Sequence, residues 1–312
     1  MQTGAADHNR ILAKAVEWAG QPMALATVVE TWRSAPCPVG THMLIHADGA
    51  FVGSVSGGCV EGDILHVAAE ILTGAPATVR RYGVADGAAW EVGLPCGGTI
   101  AVMVQPVSVA GFAPALFDRI IAANTNGETV RIGTDLATGI SMIIDQPGAG
   151  QFLNIYSPPK RLLIVGAVEI AAALAGIAKQ LGFAVTVIDP RARFLTEQRF
   201  PDVTRDDRWP DEAVAALKPD SRTAVVTLSH DIKIDDPALV SALNSPAAYI
   251  AALGSKSSHA ARLDRLRAHG LSDAQLARIE GPAGIAVNAI SAPEIALSIA
   301  AGMVRMMNNG LR

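Results

Sequence analysis

The chain has 312 residues, half of them hydrophobic and 17% charged, with 25 basic against 29 acidic side chains and a formal net charge of −4. Such a chain can bury a large core and is not compositionally disordered. It shows no basic footprint for nucleic acid, no apolar run near the ~20 residues of a membrane span, and a start, MQTGAADHNR, without the basic-then-apolar order of a secretory signal. A cytoplasmic protein with neither nucleic acid nor membrane as partner is expected. The length predicts two domains. Three cysteines, Cys37, Cys59 and Cys96, with no CxxC pair, argue against a disulfide framework and a structural zinc site.

Ile11, Leu12, Ala15 and Trp18 stand at helical spacing and predict a helix over 9–18, which Gly20-Gln21-Pro22 ends. A Val- and Thr-rich strand is predicted over 23–32 and a loop over 34–40. Short strands at 42–45 and 51–55 flank the turn 47–50. Periodicity then predicts a helix over 60–73, strands over 78–82 and 99–105, a helix over 112–124, a hairpin from 128–133 and 139–144, and a strand over 152–155. Strands and helices do not alternate strictly here, so an α+β unit is predicted.

Ser157-Pro158-Pro159-Lys160 stiffens the chain and is the candidate boundary between domains at 1–157 and 158–312. After it, continuous apolar runs at 161–165, 184–188, 223–228 and 249–253 read as strands buried on both faces. Helical segments at 168–181, 211–217, 236–243, 257–269, 272–280 and 293–306 separate or follow them. That alternation predicts a Rossmann-like, doubly wound parallel sheet, and the whole chain reads as α/β. Ser291 and Glu294 are spaced as a capping box for the last helix.

In the second half, Gly166 and Ala167 fall between the first strand and its helix, where such folds bind phosphate. Asp189 ends the next strand at the distance of a ribose-binding acid. Val168 replaces the glycine that lets the backbone reach a pyrophosphate, and Glu169 adds negative charge beside it; both argue against NAD(P). His230 and Gly254, Ser255 and Lys256 follow the third and fourth of these strands, at the edge where open α/β sheets bind ligands. The alternative for all of these is an ordinary turn, helix cap or solvated side chain.

In the first half, two segments stand out. Gly53-Ser54-Val55-Ser56-Gly57-Gly58-Cys59-Val60-Glu61 joins a strand to a helix. Ser56 is the expected N-cap, the N–H groups of 57–60 the expected anion nest, and Cys59 the expected first-turn thiol favoured by the helix dipole. Trp90-Glu91-Val92-Gly93-Leu94-Pro95-Cys96-Gly97-Gly98-Thr99 holds a second glycine-flanked cysteine. Together they offer what a phosphorylated, sulfur-rich pterin needs: amides for phosphate and thiols for metal or sulfur, with Glu61 and Glu91 as candidate polar contacts to the ring. Gly-Gly pairs also serve plain turns, and a cysteine is often a buried apolar residue.

Gly53–Asp63 and Ala89–Gly98 resemble the two signatures of the XdhC/CoxF family of xanthine and carbon monoxide dehydrogenase accessory proteins. Asp189-Pro190-Arg191, His230-Asp231, Gly254-Ser255-Lys256 and Glu294-Ile295-Ala296 are similar to pieces of that family's Rossmann domain. The sequence departs from the family pattern at Val168, Glu169, Asn288 and Pro293. The resemblance implies an accessory protein without turnover of its own. It would bind the molybdenum cofactor, as molybdopterin or its cytosine dinucleotide, with Cys59 and Cys96 as contacts to molybdenum, and would support its sulfuration by a cysteine desulfurase and its insertion into an apo molybdenum hydroxylase. It also implies a homodimer. Ser54, Ser56, Gly57, Gly58, Glu61, Glu91, Gly97, Gly98, Gly166, Ala167, Asp189, Arg191, His230, Gly254, Ser255 and Lys256 are the expected contacts to the cofactor. Two other classes stay open: an NAD(P)-linked oxidoreductase using Gly166 and Asp189, and a sulfur-transfer enzyme carrying a persulfide on Cys59 or Cys96.

Overall fold

The computed structural model describes residues 5–33, 35–83 and 98–308. It divides into two compact units on either side of the Pro158–Pro159 bond. The first is built on an antiparallel sheet. Its elements are α1 (Ala5–Glu17), β1 (Met23–Trp32), β2 (His42–His46), β3 (Phe51–Gly53), α2 (Glu61–Leu72), β4 (Thr78–Tyr82), β5 (Thr99–Pro106), α3 (Pro114–Asn126), β6 (Val130–Asp135), β7 (Ser141–Ile143) and β8 (Gln151–Tyr156). Five strands form a sheet in the order β3-β2-β1-β5-β4, and three form a second sheet, β7-β6-β8.

Period-two alternation along β1 decides which helix covers which face. Ala24, Ala26 and Val28 pack with Ile64, Val67, Ala68 and Ile71 of α2. Met23 and Leu25 pack on the opposite face with α1 and α3 through Ile11, Leu12, Phe117 and Ile120. Gly127 closes α3 with a left-handed φ of 73°, a conformation glycine adopts without penalty.

The second unit is a parallel six-stranded sheet. Its elements are β9 (Arg161–Val165), α4 (Glu169–Gln180), β10 (Ala184–Ile188), β11 (Thr204–Asp206), α5 (Pro210–Leu217), β12 (Thr223–Thr227), α6 (Ile232–Leu243), β13 (Tyr249–Ala252), α7 (Lys256–Ala268), α8 (Asp273–Leu276), β14 (Ile279–Glu280) and α9 (Ala292–Asn308). The order β11-β10-β9-β12-β13-β14 is the 3-2-1-4-5-6 order of a dinucleotide-binding fold. Leu162 and Ile164 of β9 face α4 and α9. Leu163 and Val165 face the layer of α5, α6 and α7.

Two predicted helices differ, and one strand has no predicted counterpart. The helix predicted over 272–280 stops at Leu276, and Ile279–Glu280 becomes the sixth strand, paired with Ile250 and Ala251. The helix predicted from 236 starts at Ile232 and carries Pro237 inside it, with Asp231 capping the Lys233 amide. Thr204–Asp206, polar and three residues long, is an edge strand on β10. The capping box of α9 is present: Glu294 accepts from the Ser291 amide at 2.9 Å, and the Glu294 amide donates to Ser291 Oγ at 3.4 Å.

Candidate functional site

The segment 53–61 folds around one carboxylate. Gly53 leaves β3 with φ of +86°, and a Cβ there would stand 2.3 Å from the His42 carbonyl oxygen. Gly57 and Gly58 follow with φ of 72° and 115°. The chain thereby curls about Glu61. Its carboxylate accepts from the hydroxyls of Ser54 and Ser56, both at 2.5 Å, and from the amides of Val55, Ser56, Gly58 and Val60 at 3.1, 2.9, 2.9 and 3.2 Å. Burial alone would raise this carboxyl; the hydrogen bonds from Ser54, Ser56 and the Ser56 amide outweigh it and hold it down at about 2.

This corrects four expectations. The anion of the predicted nest is Glu61 itself, so the amides of Gly58 and Val60 and both serine hydroxyls are already engaged. Glu61, 9% exposed, has no lone pair left over to serve as an open contact to a pterin ring. Ser56 does not cap α2, whose N-cap is Val60. Cys59 lies ahead of the helix rather than in its first turn, and its side chain is exposed. The dipole argument for its thiol therefore loses its geometric basis, while its accessibility stands.

Ser54, Ser56, Gly57, Gly58, Cys59 and Glu61 thus share one loop. The Pro36–Cys37 loop joins it: a Cβ on Gly57 would meet Pro36 Cβ at 3.8 Å, and Cys37 packs on the α2 core. Tyr82, at the end of β4, donates to Asp63 of α2 at 2.6 Å. Gly98 is buried just ahead of β5. Glu91, Cys96 and Gly97 lie outside the described residues.

In the second unit the expected nucleotide residues gather at the carboxyl edge of the sheet. Asp189 is fully buried. It accepts from the Ala167 amide at 2.8 Å and from Arg191 through the amide, Nε and Nη2 at 2.9, 2.8 and 2.7 Å. Burial would raise its carboxyl; Arg191 and the Ala167 amide prevail and lower it. The expected ribose acceptor is therefore committed to its own chain, and Ala167 has no amide to offer a phosphate. Gly166 has φ of +101°, and a Cβ on it would stand 2.7 Å from the Ser229 amide nitrogen. The loops after β9 and β12 thus touch at the switch point between those strands, where a dinucleotide would cross. His230 is exposed with φ of 61°. Ser255 caps α7 by accepting from the Ser258 amide, and Lys256 is that helix's exposed first residue.

Sequence reasoning passed over Arg262 and Asp235. Both are buried, at 5% and 2% exposure, beneath the 254–258 and 229–231 turns. In sequence each is one charge among several on its helix, and helical period alone does not separate it from its solvated neighbours. Among the described residues, no group of three or more His, Cys, Asp or Glu side chains is arranged to hold a metal ion. No described helix is long and apolar enough to cross a membrane.

Two family models match the chain, one described as the XdhC and CoxI family over residues 18–83 and one as the XdhC Rossmann domain over residues 162–303. Over 95% of its length the chain is 32% identical to the molybdenum cofactor insertion chaperone PaoD of Escherichia coli K12, 87% of which is covered. The chain belongs to the XdhC family. Another relative is a probable xanthine dehydrogenase component of Bacillus subtilis, 23% identical over 90% of this chain and 92% of its own length. The XdhC-type architecture extends to both units: a crystal structure described as a xanthine dehydrogenase from Bacillus halodurans superimposes with a TM-score of 0.84 at 25% identity, covering 97% of this chain and 96% of that one.

Proposed function

We propose that this XdhC-family chain carries the molybdenum cofactor as cargo and inserts it into an apo molybdenum hydroxylase of the xanthine or carbon monoxide dehydrogenase type. The observation that carries this reading is the end-to-end similarity to an insertion chaperone, 32% identical across 95% of the chain. The structure supports it through the 53–61 loop. Glu61 fixes the loop from inside, so Cys59 is presented on a preorganised surface turn, and a soft thiol suits molybdenum or its terminal sulfur. Cys96 is proposed as the second thiol on the strength of its sequence motif alone. A homodimer, a cysteine desulfurase as sulfur source and a cytoplasmic setting belong to the same reading, with molybdopterin or its cytosine dinucleotide as the cargo.

The test is to purify the chain from a host that makes the cofactor and to measure molybdenum and released pterin per chain. About one pterin per chain is expected, falling at least about tenfold in the Cys59→Ser, Cys96→Ser double variant. Unchanged retention in that variant rejects the thiols as cargo contacts, and a chain that neither holds nor takes up cofactor rejects the chaperone reading.

Exposure of Cys59 also supports sulfur transfer. A persulfide on Cys59 or Cys96 adds one sulfur, about 32 Da, after incubation with a desulfurase and cysteine. Mass spectrometry without that adduct on either cysteine rejects it. The oxidoreductase alternative has less support, because Asp189 is tied to Arg191 and Ala167.

A further inference from the structure

The edge of the second unit holds a buried guanidinium, Arg262, on which Asp235 and Asp236 act at a distance but with which, among the described residues, neither makes a hydrogen bond. Ser255, Ser258 and Arg262 stand three and four residues apart and share one face of α7. Long helical side chains lean toward the helix start, and Arg262 does so: its Nη2 donates to the Leu253 carbonyl at 2.7 Å. A Cβ on Gly254, whose φ is +146°, would stand 3.6 Å from Nη2 and 3.9 Å from Nη1. The guanidinium therefore lies directly under the turn that opens α7. It is 5% exposed, and among the described residues its Nε and Nη1 have no hydrogen-bond partner.

A guanidinium keeps its charge at any physiological pH and presents its donors in a fixed fork. Buried with two donors unmade, it is a strongly unfavourable arrangement unless an acceptor, best an anionic one, meets them. The neighbouring carboxylates do not. Asp236 is taken by Arg265, which donates from Nε at 2.6 Å and Nη2 at 3.1 Å. Asp235 accepts from the hydroxyl and amide of Ser229 at 2.6 and 3.3 Å. Among the described residues neither forms an ion pair with Arg262 within 4.0 Å.

Several features of this turn favour a negative ligand, against the nearby charges of Asp235 and Asp236. The start of a 13-residue helix projects amides and the positive end of its dipole. Ser255 Oγ lies 2.8 Å from Ser257 Oγ and 2.9 Å from Ser258 Oγ, a cluster of hydroxyls at the same end. Lys256 adds a solvated cation. Thr227, at the end of β12 and paired in register with Ala252, is buried with its Oγ1 also unpartnered among the described residues. It sits on the side of the sheet that α6 and α7 cover, as its neighbour by alternation, Val225, does.

We propose that Arg262, the Gly254 turn and the start of α7 form a binding site for the oxyanion of a phosphate or diphosphate ester, with the buried guanidinium as its anchor. Nη2 carries a second N–H beside the one given to Leu253, and paired with Nε or Nη1, both without a partner among the described residues, it can hold two phosphate oxygens; the helix start supplies the remaining donors. In the chaperone reading this site would take the phosphate end of the cargo, and to that extent it rests on that reading; the anion chemistry itself does not.

Inorganic pyrophosphate is therefore the probe, titrated into the full chain by calorimetry. Saturable binding is expected, weakened at least about tenfold in Arg262→Met, less in Arg262→Lys, and about threefold in Lys256→Met. The side-chain Nε–H signal of Arg262, identified by its loss in Arg262→Lys, is expected to shift in proportion to occupancy in the unaltered chain. That readout decides the matter even if Arg262→Met does not fold. No saturable binding, wild-type affinity in Arg262→Met, or an Nε–H signal that stays put while pyrophosphate binds overturns the site. Because the probe is inorganic, failure of cofactor loading with pyrophosphate binding intact counts against the chaperone reading alone, and the converse against this site alone.

Discussion

Each half of the molecule passes from a strand to a helix through glycine at positive φ, and each turn closes on a carboxylate of its own chain, by different means. Glu61 is held by six donors, all of them neutral hydroxyls and amides, and forms no ion pair among the described residues. Asp189 is held by the Ala167 and Arg191 amides and by a bidentate guanidinium. The first arrangement is a receptor for an anion that the chain fills by itself; the second is an ion pair between a fully buried carboxylate and a partly exposed arginine. Glycine at positive φ and clustered N–H groups reveal where an anion will sit, but not whether it is a ligand or a side chain a few residues away.

The comparison breaks most sharply at Glu61. Glu61→Gln puts an amide where six donors need acceptors. Moving from the ordinary value of 4.5 to about 2 corresponds to about 3 kcal/mol of stability at neutral pH. The folded carboxyl titrates below the unfolded one, so this contribution is complete above about pH 4.5 and drains away as pH falls toward 2. The urea midpoint between those pH values is expected to rise with pH in the natural chain and to rise less in the variant; parallel profiles would contradict the role given to this carboxylate.

Gly166→Ala comes next, at about 2–3 kcal/mol, because its Cβ meets backbone of Ser229 and its φ is left-handed. A thermal midpoint within a degree of the natural chain would show that the two loops part easily. Asp189→Asn is expected to cost about 2 kcal/mol. Unlike Glu61, it has a single charged partner, so Arg191→Met in the same chain should recover part of that loss. Strict additivity in the double-mutant cycle would remove the distinction drawn between the halves. The smallest effect on stability is Cys59→Ser, under about 0.5 kcal/mol because the side chain is exposed, although cofactor retention should fall.

The strands were the most legible part of the sequence. Val- and Ile-rich runs at 161–165 and 184–188 and the alternating run at 23–32 end where the structure ends them. Thr204–Asp206 and Ile279–Glu280 escaped because two or three residues carry no period, and Pro237 hid the first turn of α6, since proline ordinarily closes a helix. In the site, the glycines and serines of 53–58 and Gly166 marked where the two turns lie. Their occupants stayed hidden because Glu61 and Asp189 read as ligand contacts, and Arg262 because in Lys256–Ala268 it stands among two other arginines.

The closure of the loop on Glu61 bears on how the signature is inherited. Ser54, Ser56, Gly57, Gly58 and Glu61 answer to folding: each supplies either a bond to the carboxylate or the backbone bend that lets the bond form. A descendant that had abandoned its cargo would still be obliged to retain them. Within the run Gly53–Glu61, Cys59 is the position that folding leaves at liberty, and so the one whose loss or retention in a lineage tracks employment rather than architecture.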